Sequence, residues 1–128
     1  MAALFMALCS MAFFSCHKKD SDLDSTLNLL QHKWIIHSEM GEVFYYKGTP
    51  DDYFYFNGDN KLYIRSSGFL DTLEYQLLQD RKTLELYPLA NGIRTGVPQD
   101  YTIKSLTEHE LILSLSTPIL FALDSLSR

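Results

Sequence analysis

Cysteine is the first residue the sequence withholds: Cys9 and Cys16 are the only two in 128 residues, and none follows Cys16. A disulfide framework, a thiolate zinc site and a cysteine nucleophile are therefore excluded beyond that point. Basic charge is also short. Lysine and arginine number 11 against 16 aspartates and glutamates, for a formal charge of −5, which argues against nucleic acid as a partner because phosphates call for clustered basic side chains. His32, His37 and His109 are scattered without the spacing of a metal triad, and no nucleophile elbow or glycine-rich oxyanion loop accompanies the serines. Glu108-His109-Glu110 falls in a turn, where exposed polar residues are ordinary. We expect neither an enzyme nor a cofactor or metal, since no pair of residues takes acid and base roles.

The apolar run that opens the chain, Met1 to Ser15, carries no charge and falls short of the roughly 20 residues that cross a bilayer. It reads as the apolar part of a secretion signal, ended by the polar residues His17, Lys18, Lys19, Asp20, Ser21 and Asp22. His17, Asp20, Asp22 and Asp24 read as a solvated tether rather than a metal site. Phe13-Phe14-Ser15-Cys16 resembles the lipobox of bacterial lipoproteins, with Ser15 as the small residue before the cysteine; Phe13 stands where an aliphatic residue is usual, and no lysine or arginine precedes the run. The resemblance implies cleavage before Cys16 and lipid on Cys16. It also implies a membrane-anchored place in the cell envelope, the outer membrane being the expected one, with the side it faces left open. Acyl chains contribute about 0.8 kcal/mol per buried CH2, and stable anchoring takes more than one of them. The expected division is 1–15 signal peptide, 16–24 lipidated cysteine and tether, and 25–128 one folded domain.

From Trp34 onward the hydrophobic period is two. In Tyr53-Phe54-Tyr55-Phe56 phenylalanines take one face and tyrosines the other; Asn57 to Asn60 supply a turn, and Lys61-Leu62-Tyr63-Ile64-Arg65 resumes the alternation. A second hairpin turns at Gln79 to Lys82 and a third at Thr107 to His109, before a last strand around Ile119 to Leu123. Such a series predicts an all-β, antiparallel up-and-down meander, and closure into a barrel removes its exposed edges. Asp24-Ser25 caps a short N-terminal helix through Leu27, Leu29 and Leu30, placed to plug one end. Eight strands result if Gly41 merely bends one long strand, nine if the chain reverses there; eight is preferred, because every pair is then antiparallel. That count puts the connections at Gly48 to Asp52, Ser66 to Gly68 and Pro88 to Gln99 opposite the plug, with the last segment overhanging the mouth as a lid.

Leu30-Gln31-His32-Lys33-Trp34-Ile35-Ile36 resembles the opening of lipocalin-like domains, where a helical turn runs into a strand bearing Gly-x-Trp; His32 takes the glycine's place. The stretches YFYFNGDNKLYI and YTIKSLTEHELILSL are similar to hairpins of the small lipocalin-like lipoproteins of Bacteroidetes. The resemblance implies a barrel-floor role for Trp34 and a small hydrophobic ligand, although fold alone does not fix function.

Eight strands enclose room for side chains or for one small ligand, so a filled core and a cavity both remain open. The ligand-facing candidates are Tyr75 and Tyr101 as polar handles, with Phe54, Phe56 and Leu113. The alternative is an envelope interaction module with a filled barrel, meeting protein or glycan through Tyr53, Tyr55 and Tyr63 on the outer face of one hairpin.

Overall fold

The computed structural model describes residues 22–41, 45–116 and 121–128; the signal run, Cys16, Thr117-Pro118 and the start of the expected last strand lie outside them. Residues 22–30 form a helix, α1, followed by ten strands: β1 Lys33–Gly41, β2 Tyr45–Lys47, β3 Tyr53–Phe56, β4 Lys61–Ser66, β5 Phe69–Leu77, β6 Thr83–Ala90, β7 Ile93–Arg94, β8 Gln99–Leu106, β9 Glu110–Ser116 and β10 Phe121–Ser127. Eight of them close a barrel in the order β1-β3-β4-β5-β6-β8-β9-β10, sealed by β10 on β1 from Ile35↔Ser127 to Gly41↔Ala122, and every pairing is antiparallel. No barrel strand is left with an open edge, which answers the hazard of an alternating sheet.

The count of eight arises differently from a bend at Gly41. β2 returns antiparallel along β1, with Met40↔Tyr45 and Ser38↔Lys47, and β3 continues along the same strand with Ile35↔Tyr53. The chain therefore does reverse, and β2 and β3 share one place in the wall. Residues 48–52 are an insertion within that place rather than a connection at the rim. Gly48 donates its N–H to the His37 carbonyl at 2.8 Å, and a Cβ on it would collide with the Ile36 carbonyl.

Helix α1 starts earlier than Asp24-Ser25 and already includes Asp22 and Leu23. The reason is spacing: Leu23, Leu27 and Leu30 fall at i, i+4 and i+7, and all three pack on the core. Acids in the first turn suit the helix dipole. Asp22 pairs with Arg81 in the turn between β5 and β6, at 3.7 Å, so the start of α1 lies at the end of the barrel that carries that turn. Trp34 is fully buried beneath it and donates its indole N–H to the Leu30 carbonyl at 2.9 Å.

The turns at this closed end follow the sequence expectation. Leu78 N–H bonds to the Thr83 carbonyl, Thr107 N–H to that of Glu110, and Asn57 N–H to that of Lys61. At the opposite end Ser67-Gly68 and Asn91-Gly92 turn in two residues, all with positive φ, the condition of a type I′ hairpin. The Pro88 to Gln99 segment is accordingly not a lid. β6 runs to Ala90, β7 pairs back on it, and Arg94 lies over the Tyr87 ring at 3.8 Å and bonds Glu74. Tyr87 and Glu74 face outward, so this ribbon is folded against the outer wall. The last strand also runs further than Leu123, to Ser127.

Candidate functional site

Burial along the inner face changes from one end of the barrel to the other. Near α1 the inward side chains Trp34, Phe56, Leu62, Tyr75, Leu84, Leu111 and Leu126 are all sealed from water. Phe56 meets Tyr75 edge to face with centroids 5.1 Å apart, and each such buried side chain contributes about 1.5 to 3 kcal/mol of burial free energy. Toward the far end the inward residues Ile64 and Ser66 on β4, Leu73 on β5 and Tyr101 on β8 are only half-buried, and Pro88 on β6 is exposed. The lower half is a packed core. Burial of the inward side chains is less complete toward the end opposite α1, the upper half, where Leu86, Leu115 and Asp124 stay buried among half-buried neighbours.

The sequence candidates divide along this axis. Phe56 and Tyr75 lie in the packed part, while Phe54 and Leu113, also buried, stand across from Ile64 and Asp124 in the next layer. The Tyr75 hydroxyl donates to the Asn57 carbonyl at 2.6 Å and accepts from Gln31 Nε2 at 3.0 Å; burial pushes its pKa up. Its polar tip is thus engaged in holding the closing turn and α1. Tyr101 is the candidate placed in the upper half. On the outer face Tyr55 and Tyr63 are a direct cross-strand pair with stacked rings 6.1 Å apart, and Lys33 Nζ sits 4.3 Å over Tyr53. These rings therefore have partners within the sheet. Cys16 lies outside the described residues.

Two acids in the upper half were not legible as inward residues. β1 carries a bulge, a register shift between Ile36 and Ser38, so the inward set passes from Trp34 and Ile36 to Glu39 instead of Ser38. Glu39 then stands directly across from Asp124 on β10. Leu126 is buried two residues from Asp124 on the same face, and Asp124 itself is only 5% exposed. Cross-strand neighbours have Cβ atoms about 4.5 to 5.5 Å apart, and like charges there repel. Burial and the Glu39 charge push the Asp124 carboxyl up to about 7. Burial, then Asp124 and Glu39, push the Tyr101 hydroxyl up to about 12, so these three groups form one electrostatic cluster. Ser66 donates its hydroxyl to Glu39. Among the described residues no hydrogen bond reaches the Asp124 carboxyl.

Beside this cluster the insertion 48–52 supplies a different acid. Asp52 is buried and accepts from the Tyr46 hydroxyl at 2.5 Å, the Thr49 N–H at 3.0 Å and the Thr49 hydroxyl at 3.1 Å. The Tyr46 hydroxyl, then the Thr49 N–H, hold it below the usual carboxylate range, and Tyr46 is raised in return. Asp52 is a strut, whereas among the described residues no such bond reaches Asp124. No group of three or more His, Cys, Asp and Glu side chains among the described residues has metal-holding geometry. No family model, curated protein or solved structure matches the chain.

Proposed function

We propose that the protein is a lipocalin-like binding barrel, held in the bacterial envelope by lipid on Cys16, that takes a small molecule into the open upper half of its interior. The observation that carries this reading is the gradient of burial along the inner face, from sealed Leu62 and Tyr75 to half-buried Ile64, Leu73 and Tyr101. A small site needs apolar walls and a few convergent polar groups. Ile64, Leu73 and Leu115 supply the first, and Tyr101, Ser66, Glu39 and Asp124 the second. The ion pair of Asp22 with Arg81 puts the start of α1 at the closed end, so a tether from Cys16 would join the domain at the end away from the upper half.

Uptake of the neutral dye Nile red by the full chain tests the binding claim. Ile64→Trp and Leu73→Trp fill the mouth and are expected to abolish the fluorescence gain, while Tyr55→Ser with Tyr63→Ser leaves it in place. Loss of the gain only in the tyrosine variant transfers binding to the outer face. Labelling with a radioactive fatty acid in the host, abolished by Cys16→Ala, is the result expected for the anchor; an unlabelled parent chain overturns it.

A further inference from the structure

We infer that the mouth selects ligands bearing a protonated amine, with the ammonium group seated between Glu39 and Asp124 and beside the ring of Tyr101. The inference deepens the binding reading above and rests on it. Asp124 is 5% exposed, faces into the barrel, and receives no hydrogen bond among the described residues. A buried carboxyl so placed is costly unless a partner arrives. What faces it from the neighbouring strands is the Glu39 carboxyl on β1 and the Tyr101 hydroxyl on β8; its partner on β9 is Leu113. Tyr46 stands opposite Glu39 on β2, with its hydroxyl given to Asp52. No lysine, arginine or histidine is in this set. Lys61 and Arg94 bond Glu74 on the outer wall, His37 bonds Ser127, and Lys47 and Arg65, next in sequence to Tyr46 and Ser66, are exposed on the outer face. Positive charge is thus the complement that no described residue supplies to this cluster.

The chemistry favours an ammonium over the other cations. Among the described residues the two carboxyls have no third acidic, histidine or cysteine neighbour to complete a metal shell, whereas an ammonium needs only two or three acceptors and gains from an aromatic face. Ser66 fixes one oxygen of Glu39 and leaves the rest of that carboxylate to accept. The body of such a ligand would lie against Ile64, Leu73 and Leu115, toward the rim where Phe69 and Leu70 are exposed. Because Asp124 takes up a proton below about 7, an ammonium binds more tightly as pH rises through that value and the carboxyl ionises.

Calorimetry of the full chain with hexylamine, hexanol and hexanoate, three probes of one length and different head, tests the inference. The expected order is hexylamine first, with Glu39→Gln and Asp124→Asn each weakening it about tenfold or more and leaving hexanol unchanged, and with hexylamine tighter at pH 8 than at pH 6. Hexanol or hexanoate binding as well as hexylamine, or hexylamine indifferent to both variants, overturns the amine preference while the binding reading stands. If none of the three binds, and Nile red does not either, the binding reading falls and the amine preference with it.

Discussion

Replacing Asp124 with asparagine is expected to stabilise the fold at pH 8 and to leave it nearly unchanged near pH 4. In the unfolded chain this carboxyl ionises near its ordinary 3.8, and in the folded barrel near 7. Between those values the folded state holds a proton that the unfolded state has lost, so stability declines as pH rises from about 4 to about 7 and is flat above. Each unit is worth about 1.4 kcal/mol, which puts the full penalty near 4 kcal/mol. Water at the mouth and a small retreat of Glu39 lower that figure, so a gain of about 2 to 4 kcal/mol at pH 8 is expected, a large share of the 5 to 15 kcal/mol typical of a domain. Urea unfolding of the full chain and of Asp124→Asn at several pH values between 4 and 8 measures it. A gain of the same size at both ends of the range, or a loss at pH 8, would refute a buried carboxyl destabilised by ionisation.

Other groups titrate with the opposite sign and shape the acid side. Asp52, Glu74 and Asp80 are held below the usual range, by the Tyr46 hydroxyl, by Arg94 and by the Thr83 hydroxyl respectively; stability is present above their ordinary values and is lost as pH falls through the lowered ones, so Asp52→Asn should flatten the acid limb of a pH series of melting temperatures. Gly48→Ala brings a Cβ onto the Ile36 carbonyl and is expected to destabilise by about 2 kcal/mol or more, read as a lower urea midpoint at unchanged slope. Leu111→Ala, in the sealed half, should cost about 2 to 5 kcal/mol in the same assay without abolishing amine binding by the fraction that remains folded.

The barrel was legible in the sequence because its signals are local. Alternation in Tyr53-Phe54-Tyr55-Phe56 and the turn residues at Asn57 to Asn60 report on neighbours in the chain, and the inner face they predict, from Phe54 to Leu115, is the one that lines the interior. The closing pair of β10 with β1 is not local, and the antiparallel return of β2 along β1 is a reversal where the sequence suggested a bend at Gly41. The bulge at His37 mattered more for the site. A single extra residue inverts every later side chain on a strand, which moves Glu39 inside, and no residue near His37 announces it. Asp124 escaped because the last strand was expected to end at Leu123. Leu126 two places on, flanked by Ser125 and Ser127 in alternation, was the available signal. The supposed lid failed for a readable reason: Asn91-Gly92 is a strong two-residue turn, and it converts a long connection into a short ribbon whose Arg94 is drawn to the outer wall by Glu74 and Tyr87.

The central claim is that ligand enters the open half of the interior, and the most direct measurement is a map of backbone amide chemical shifts of the full chain titrated with hexylamine at pH 8. Saturable shifts gathered at Glu39, Ile64, Leu73, Tyr101 and Asp124 are expected, with the closed end around Trp34 and Tyr75 unmoved. Shifts gathered instead on Tyr53, Tyr55 and Tyr63, or none at all, would contradict it.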